Sequence, residues 1–316
     1  NVYGIGELKN LRKRIFNLPQ PDLLVLHAIY TFSTLFGYLY AKKSGIPYVV
    51  MPHGSLTKYH EKDNKAIKAV AKWLLISRIL RQAGAIIVTC ESEKTELNPT
   101  LHEKTWQIEY GATVTGHLNK NSQNTSLGFK APRIVFSGRF DKKKNLAIVI
   151  QALPYILKQY PETILDIAGS GTSKEVKRME SLVSSLRLER HVVFHGWIES
   201  AKMMELLTNA RLLTLPSQNE NFAIAVAEAL SAGIPCVVSK FVGTAEIVAK
   251  FHAGEVIDEI TPASVADAII KVLNGNESIY KVAATKAAQS SLNWSKSVFR
   301  WKSLITYLVS MPKSPN

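Results

Sequence analysis

Cysteine, long apolar runs and clusters of metal-binding side chains are scarce or absent in this sequence of 316 residues. Its two cysteines, Cys90 and Cys236, lie in apolar strand-like runs, where an unpaired thiol is typically buried. No apolar run approaches the ~18–20 residues that a membrane-spanning helix needs. No Asp-x-Asp or comparable metal-ligand cluster stands in a predicted loop. These scarcities argue against a disulfide scaffold and a transmembrane protein, and they favour a reducing, cytoplasmic compartment.

Acidic residues are also scarce, since 25 Asp and Glu stand against 39 Lys and Arg and leave a net charge of +14. Such a surplus attracts nucleic acids, anionic membrane surfaces and phosphorylated substrates alike. Nucleic-acid binding is the weakest of these interpretations, because the basic stretches are scattered and no aromatic–basic binding motif accompanies them. No specific nucleic-acid partner is therefore expected.

Short β-branched runs alternate with helical patterns along the chain, which is typical of parallel α/β sheets of the doubly wound type. The runs predicted as buried strands are 22–28, 47–54, 85–90, 133–140, 163–171, 191–197, 211–217, 235–239 and 254–258. Residues 117–132, rich in Asn, Ser and Gly, are predicted to be a linker. This gives two domains, 1–127 and 128–316, with the last helix, about 295–311, expected to pack back on the first.

The stretch "PSQNENFAIAVAEALSAGIPCVVS" carries two glutamates eight positions apart, Glu220 and Glu228. It predicts a strand end, a short loop and a helix that begins near Phe222 or Ala223. In a parallel sheet this helix N-terminus suits a phosphate. Glu220 would lie beside that phosphate, and Glu228, roughly 8 Å along the helix, could accept two hydrogen bonds from a ribose diol. Helix initiation by Glu220 and a solvated stripe carrying Glu228 explain the spacing equally well.

Two further stretches bear on this choice. "SGRFDKKKNL" places Arg139 at a strand end and Lys144 just before the next helix, where cations can meet a diphosphate. Lys142 and Lys143 are predicted to be solvated surface charges. "MPHGS" places His53 in a glycine-containing loop at the end of another strand, where a structural and a catalytic role are about equally open.

Together these motifs resemble the retaining glycosyltransferases of family 4. Their signature "PSxxExFGxxxxEAxxxGxPVV" stands here as "PSQNENFAIAVAEALSAGIPCVV", and their "GRxxxxK" element as "GRFDKKK". The "PHG" loop, "FHGWI" (194–198) and "VGTAEIV" (242–248) follow the family in order and spacing. The resemblance runs from about residue 20 to the end. It implies the GT-B fold, in which two Rossmann-like doubly wound domains face each other across a cleft.

The resemblance also implies a role for each matching position. Glu228 would hold the ribose hydroxyls, and Glu220 would contact the donor sugar beside the leaving phosphate. Arg139 and Lys144 would neutralise the diphosphate, so that no divalent metal or other cofactor is needed. His53 would reach the donor sugar from the opposite domain. The remaining donor-binding positions are Gly138, Gly196 and Trp197, of which the last two would line the base, and the phosphate-binding backbone of Asn221, Phe222 and Ala223.

Two features depart from the family's pattern. Ala223 stands where the family has glycine, a mild change because alanine can occupy a first helical turn. The strand and glycine-rich loop that open the family's first domain are not found, since Gly4 and Gly6 in "NVYGIGELKNLRKRI" follow no apolar strand. The N-terminal domain is therefore expected to be incomplete. Either the chain begins inside a longer natural sequence or a partner supplies the missing unit.

The segment 57–85 predicts one or two amphipathic helices with a basic face. Ile67, Val70, Leu74 and Leu75 recur at helical spacing among seven Lys and Arg residues and two acidic ones. A solvated face over an ordinary core explains this pattern as well as contact with an anionic membrane does. Membrane contact would suit a lipid-linked acceptor.

The leading hypothesis is a retaining, metal-independent glycosyltransferase of the hexosyltransferase type. It would move a sugar from a nucleoside diphosphate to a glycan or lipid-linked acceptor in cell-surface polysaccharide or glycolipid synthesis. Its expected location is cytoplasmic, peripheral on the inner face of the membrane. The alternative is a non-catalytic donor-binding subunit of a split transferase, whose acceptor-binding portion belongs to another chain.

Overall fold

A computed structural model describes residues 20–56, 66–112 and 131–310. The chain divides into two units: residues up to Ile108 together with those from Ser297, and Glu109–Lys296. Most of the expected linker, the boundary near residue 127, and Gly4 and Gly6 lie outside the described residues. The domain boundary and the incomplete N-terminal unit therefore stay predictions.

The first unit contains a parallel sheet of four strands in the order β1-β2-β3-β4. The strands are β1 Leu24–His27, β2 Tyr48–Met51, β3 Ala85–Val88 and β4 Thr105–Gln107. Every residue of β2 and β3 is buried, as their continuous apolar runs predict. Strand β4 was not predicted, because "TWQ" is three residues long and neither continuously apolar nor bounded by turn signals.

The helices of this unit begin and end where local sequence favours it. Helix α1, Phe32–Ser44, starts at Thr31, whose hydroxyl accepts the Thr34 N–H, and stops at Gly45 in the left-handed conformation. The other helical elements are α2 Ala66–Gln82, α3 Glu91–Thr95 and a short 3₁₀ segment, Pro99–Lys104. In the last helix, α11 (Trp294–Ser310), Leu308 lies over Gly84, where a Cβ would come within 2.9 Å of its Cδ2.

The apolar face predicted for the segment 57–85 differs from the one observed in helix α2. Leu74 and Leu75 are 53% and 37% exposed, and the buried side of the helix is formed by Ile76, Ile79 and Leu80. The side chains of residues 57–73 lie outside the described residues. Spacing alone selected the wrong stripe, because apolar residues stand on both sides of this helix and the packing decides which side is buried.

The second unit contains a parallel sheet of six strands in the order β10-β9-β8-β5-β6-β7. The strands are β5 Arg133–Ser137, β6 Ile164–Ala168, β7 Val192–Gly196, β8 Leu212–Leu215, β9 Cys236–Ser239 and β10 Gly254–Ile257. Chain order runs outward from the middle in both directions, so it reverses between β5 and β8. In sheets of this type, ligands bind beyond the carboxyl ends of the strands at that point.

Helices separate the strands of the second sheet throughout, as the alternating pattern predicts. They are α4 Leu146–Leu157, α5 Ser173–Ser185, α6 Ser200–Thr208, α7 Ile224–Ser231, α8 Ala245–Phe251, α9 Pro262–Asn274 and α10 Glu277–Ser291. Cys236 is fully buried in β9, and Cys90 is buried at the start of α3. Among the described helices, none has the length and apolar character needed to cross a membrane.

Candidate functional site

The loops that follow β5 and β8, on either side of the point where the strand order reverses, are joined directly. The Gln218 N–H donates to the Lys143 carbonyl at 2.7 Å. The Asn145 amide donates to the Pro216 carbonyl at 2.8 Å, from a residue that itself has a φ of +56°. Because these two bonds fix the loops to each other, side chains on one loop have a defined position relative to the other.

Lys144 and Glu220 meet across these joined loops. The Lys144 Nζ lies 2.8 Å from the Glu220 Oε1, and each side chain is only 13% exposed. The aliphatic part of Lys144 lies over Gly138, where an added Cβ would be 3.5 Å from both Cδ and Cε. The structure thus brings together three of the predicted site residues, Gly138, Lys144 and Glu220.

Lys143 also belongs to this cluster, although the sequence analysis assigned it to the solvated surface. Its Nζ is 3.7 Å from the Glu220 Oε1, and its side chain is 28% exposed. In sequence Lys143 is indistinguishable from its neighbours in the run "KKK". Its position near Glu220 depends on the 3₁₀ turn Lys142–Lys144, in which the side chains of successive lysines point in different directions.

A third loop, which follows β9, holds the backbone of Glu220. The Glu220 N–H donates to the Phe241 carbonyl at 3.0 Å, and the Gly243 N–H donates to the Glu220 carbonyl at 2.8 Å. Gly243 belongs to the "VGTAEIV" stretch. This stretch therefore contributes to the site by fixing the backbone at Glu220.

Arg139 lies apart from the Lys144–Glu220 pair. Its side chain is 74% exposed, and the ion pair found for it among the described residues is with Asp141 Oδ2, at 3.5 Å. An exposed pair of this kind contributes little to stability. A diphosphate role for Arg139 stays a prediction.

The helix that follows Glu220 begins later than predicted. Helix α7 starts at Ile224, so the N–H groups of Ile224 and Ala225 are among those left without intrahelical acceptors. Phosphate binding by the backbone of Asn221–Ala223 stays a prediction. The Phe222 side chain is buried in the core, with its ring edge-on to Tyr110 at 5.2 Å, so it is not available to a ligand.

Ala223, at the start of this helix, adopts a φ of +64° and a ψ of +78°. A side chain with a Cβ pays about 1–2 kcal/mol in this left-handed region, whereas glycine enters it freely. The expectation of a mild change was wrong, because Ala223 precedes the first helical turn instead of occupying it. This strain is a physical reason for the glycine that the family 4 signature has at the matching position.

Glu228 lies in the middle of α7 and is half-buried. Burial raises the pKa of its carboxyl above the usual range. Its side chain has no hydrogen-bond or ion-pair partner among the described residues. A carboxylate that is partly withdrawn from water and unpaired is better suited to an external donor than to a solvated helix face.

The loops after β5, β6 and β7 are also connected by their backbones. The Gly138 N–H donates to the Ala168 carbonyl at 3.0 Å, and the Gly169 N–H donates to the Gly196 carbonyl at 2.8 Å. A Cβ on Gly169 would lie 1.9 Å from the Gly138 carbonyl oxygen, so this approach requires glycine. Trp197, the residue after Gly196, is 82% exposed. Its indole is therefore accessible to a planar ligand group.

In the first unit, His53 stands two residues beyond the end of β2, with a φ of +53°. Its Nε2 lies 2.8 Å from Nδ1 of His27, the last residue of β1. Burial, and to a lesser extent His27, lowers the pKa of His53, so the imidazole is neutral near pH 7. The sequence analysis missed His27, although its place at the end of a strand beside β2 could have identified it.

A metal ion has no obvious site in the described part of the chain. No group of three or more His, Cys, Asp or Glu side chains there is arranged to hold one. The expectation that no divalent metal is needed stays a prediction.

Comparisons with known proteins place both parts of the chain among glycosyltransferases. Residues 119–290 match the family model described as Glycosyl transferases group 1, and residues 2–109 match the one described as Glycosyltransferase Family 4. One curated relative is an uncharacterized glycosyltransferase of Methanocaldococcus jannaschii, 27% identical over 248 residues. The match covers 72% of this chain and 60% of that relative, so it spans less than two thirds of the relative's length.

Solved structures with the same architecture include sucrose-phosphate synthase from Thermosynechococcus elongatus. The TM-score is 0.79 and the sequences are 21% identical. The match covers 96% of this chain and 78% of the synthase chain. HepE of Anabaena, in complex with UDP and glucose, has a TM-score of 0.75 at 18% identity. The match covers 98% of this chain and 84% of the HepE chain. These likenesses confirm the predicted class of fold, two parallel α/β Rossmann-like domains of the GT-B type.

Proposed function

This chain belongs to the family of glycosyl transferases group 1, and from that premise we propose that it transfers a sugar from a nucleoside diphosphate to a glycan or lipid-linked acceptor. The observation that carries the proposal is the Lys144–Glu220 pair at 2.8 Å. It lies at the reversal point of a six-stranded parallel sheet, in front of an open helix N-terminus. A cation, a carboxylate and free backbone N–H groups there suit a ligand with both phosphate and hydroxyl groups.

The diphosphate would bind between Lys144 and the first turn of α7. Lys144 supplies a localised positive charge, and the Ile224 and Ala225 N–H groups supply donors at the positive end of the helix dipole. Lys143 would add a second charge, and Arg139 a third, once its exposed side chain turns toward the ligand. These groups would stabilise the negative charge that develops on the leaving phosphate, a task that a metal performs in other transferases.

The nucleoside would bind beside this anion site. Ionised Glu228 would accept hydrogen bonds from the two ribose hydroxyls, which explains why a half-buried carboxylate lacks a protein partner. Gly196 and the exposed ring of Trp197 would line the base. That HepE was solved with UDP and glucose supports a nucleotide-sugar donor for this chain.

In the transfer step, the bond between the anomeric carbon and the diphosphate oxygen breaks. The oxygen of the acceptor hydroxyl bonds to the same carbon on the same face and gives its proton to the departing diphosphate oxygen, so the anomeric configuration is retained. Glu220 would bind the sugar hydroxyls while paired with Lys144, and His53 would contact the donor sugar through its neutral ring. We do not assign Glu220 as a nucleophile, because its ion pair holds it beside the phosphate-binding cation.

The acceptor would bind on the first unit. On the described part of helix α2, exposed Leu74 and Leu75 stand near exposed Arg78 and Arg81. Apolar and basic side chains on one short segment suit the surface of an anionic membrane, where each charge contributes about 1 kcal/mol. We therefore propose a peripheral location for this transferase and favour a lipid-linked acceptor.

A thermal-shift panel of UDP, GDP, ADP and their sugars tests the donor class. A ligand that binds the folded state alone, at 100 times its dissociation constant, stabilises by about 2.7 kcal/mol. We expect a shift for one base and its sugar nucleotides, and loss of that shift in Glu228→Ala. No shift with any nucleotide would overturn the proposal. Tight donor binding without turnover on any acceptor would instead support the donor-binding subunit.

A further inference from the structure

The two histidines at the carboxyl ends of β1 and β2 form a closely coupled pair. In the parallel register, His27 lies opposite Met51, and His53 follows two residues later. The His27 Nδ1 and His53 Nε2 are 2.8 Å apart, and the rings are nearly parallel, at 11°, with centroids 5.1 Å apart. At this distance one nitrogen must carry a proton and the other must accept it. The pair therefore couples the protonation of one ring to that of the other.

The backbone at His53 is in an unfavourable conformation. His53 and Gly54 have consecutive positive φ values, +53° and +75°. Glycine tolerates this conformation, whereas a residue with a Cβ is strained in it. Strained residues persist where the surroundings hold them, and they concentrate at functional sites.

A buried carboxylate holds this turn. The Gly54 N–H donates to Glu93 Oε1 at 2.6 Å, and the Thr89 N–H donates to Glu93 Oε2 at 3.0 Å. Glu93 is 3% exposed, although it belongs to the short exposed helix α3. Burying a carboxylate is costly unless its oxygens accept hydrogen bonds, and here both oxygens do. Glu93 thus connects the end of β3 to the turn that carries His53.

We propose that His27 and Glu93 are positioning residues for His53: His27 fixes the tautomer and orientation of its ring, and Glu93 fixes the backbone turn from which the ring projects. The proposal rests on the proposed function, in which His53 contacts the donor sugar. A sugar hydroxyl needs either a donor or an acceptor nitrogen from that ring. A ring that is free to exchange tautomers would offer the wrong one part of the time.

Two titratable residues in the described part of the chain contact this turn, His27 from β1 and Glu93 from α3. Burial, and then His27, lowers the pKa of His53, which agrees with a His53 ring that stays neutral near pH 7. The glutamate on the same helix, Glu91, is exposed and provides a matched control.

The first test uses the full chain with ¹⁵N-labelled histidine and no substrate. Ring ¹⁵N shifts report the tautomer and pKa of His53. In His27→Ala we expect its pKa to rise toward the ordinary histidine value and its tautomer to become mixed. His27→Asn, which retains a polar atom near the position of Nδ1, should restore part of the wild-type pattern. An unchanged tautomer and pKa in His27→Ala would overturn the role of His27.

The second test uses steady-state kinetics with saturating donor. We expect His27→Ala and Glu93→Gln to lower kcat about 10–100-fold with donor KM changed less than about threefold, because the ring is misplaced and not removed. Glu91→Gln should match the wild type. Measurements well below each variant's Tm separate positioning from loss of fold. A Glu93→Gln enzyme with wild-type kcat at such a temperature would overturn the role of Glu93.

The two tests separate this inference from the proposed function. If His53→Ala left turnover unchanged while His27→Ala still altered the His53 spectrum, the coupling would stand and the sugar contact of His53 would fail. If the wild-type chain transferred no sugar, the spectroscopic test would still decide whether His27 controls His53.

Discussion

The two units of this protein both place polar side chains at the carboxyl ends of parallel strands, but they do so with different chemistry. In the second unit, Lys144 and Glu220 form a charged pair, fixed by backbone bonds between the loops after β5, β8 and β9. In the first unit, His27 and His53 pair through their ring nitrogens, on a turn held by buried Glu93. Charge suits a diphosphate, whereas a neutral ring suits sugar hydroxyls without attracting anions.

The two sites are held in position by different interactions. Ion pairing compensates the two largely buried charges of Lys144 and Glu220, and neither residue has a positive φ. The histidine pair gains no such attraction. Its position depends on a residue at positive φ and on the buried carboxylate of Glu93, which accepts the Gly54 N–H. We therefore expect substitutions in the charged pair to weaken donor binding and catalysis. Substitutions in the histidine pair should instead disturb the orientation of the His53 ring.

The largest expected effect comes from removing the cation of the charged pair. Lys144→Ala should lower kcat about 100-fold or more, because a preorganised charge that stabilises the leaving group contributes this much to a rate. Lys142→Ala, which removes an exposed lysine two residues away, is the matched control. Steady-state kinetics and circular dichroism would be compared for both variants. Equal losses in the two variants would mean that Lys144 acts through general charge alone.

Glu228 should show the next largest effect. Its raised pKa means that the folded state favours the neutral acid, so its stabilising contribution is present at low pH and is lost as pH rises through the shifted pKa. Ribose binding needs the ionised form, so donor affinity should fall as pH drops through the same interval. Glu228→Gln should bind donor about 10–100-fold more weakly, from the usual value of a hydrogen bond to a charged group.

Calorimetric titration from pH 5 to 8 measures both consequences of this substitution. The Gln variant should be the more stable protein at pH 8 without ligand, and its weakened affinity should no longer vary with pH in this range. A pH-independent donor affinity in the wild-type protein would contradict the assignment of Glu228 to the ribose.

The histidine pair should give a pH-dependent effect. Because the pKa of His53 lies below its ordinary value, kcat should be constant above about pH 7 and fall as pH drops below that ordinary range. In His27→Ala the fall should begin at a higher pH. A rate profile measured at saturating donor detects this displacement. Superimposable profiles would show that the histidine pair does not control the rate.

The smallest expected effect is at the start of α7. Ala223→Gly removes the strain of a Cβ at a φ of +64° but makes the unfolded chain more flexible, so the two terms partly cancel. We expect a gain of about 0.5–1 kcal/mol in the free energy of unfolding and a modest improvement in donor affinity. Urea denaturation measures the first. Destabilisation by the glycine would show that Ala223 is not strained.

Much of the fold and part of the site were predictable from sequence. Except for β4, the observed strands lie within the predicted runs, because buried parallel strands are largely apolar. Gly138, Lys144 and Glu220, predicted from the ends of two separate strands, meet in the structure. Lys143, His27 and Glu93 escaped prediction, since nothing local separates them from solvated lysines, a strand terminus or an ordinary helical glutamate.

By itself, therefore, the sequence determined which segments form strands and helices, that the sheets are parallel, and which residue types stand at the strand ends. Tertiary structure decided which strand ends lie next to each other. It thereby decided which charged side chains pair and which carboxylates are buried away from water. It also decided which side of α2 is buried and that Ala223 must take a left-handed conformation. The physical reason is that burial, hydrogen bonding and strain depend on residues distant in the chain, whereas sequence patterns report only on neighbours.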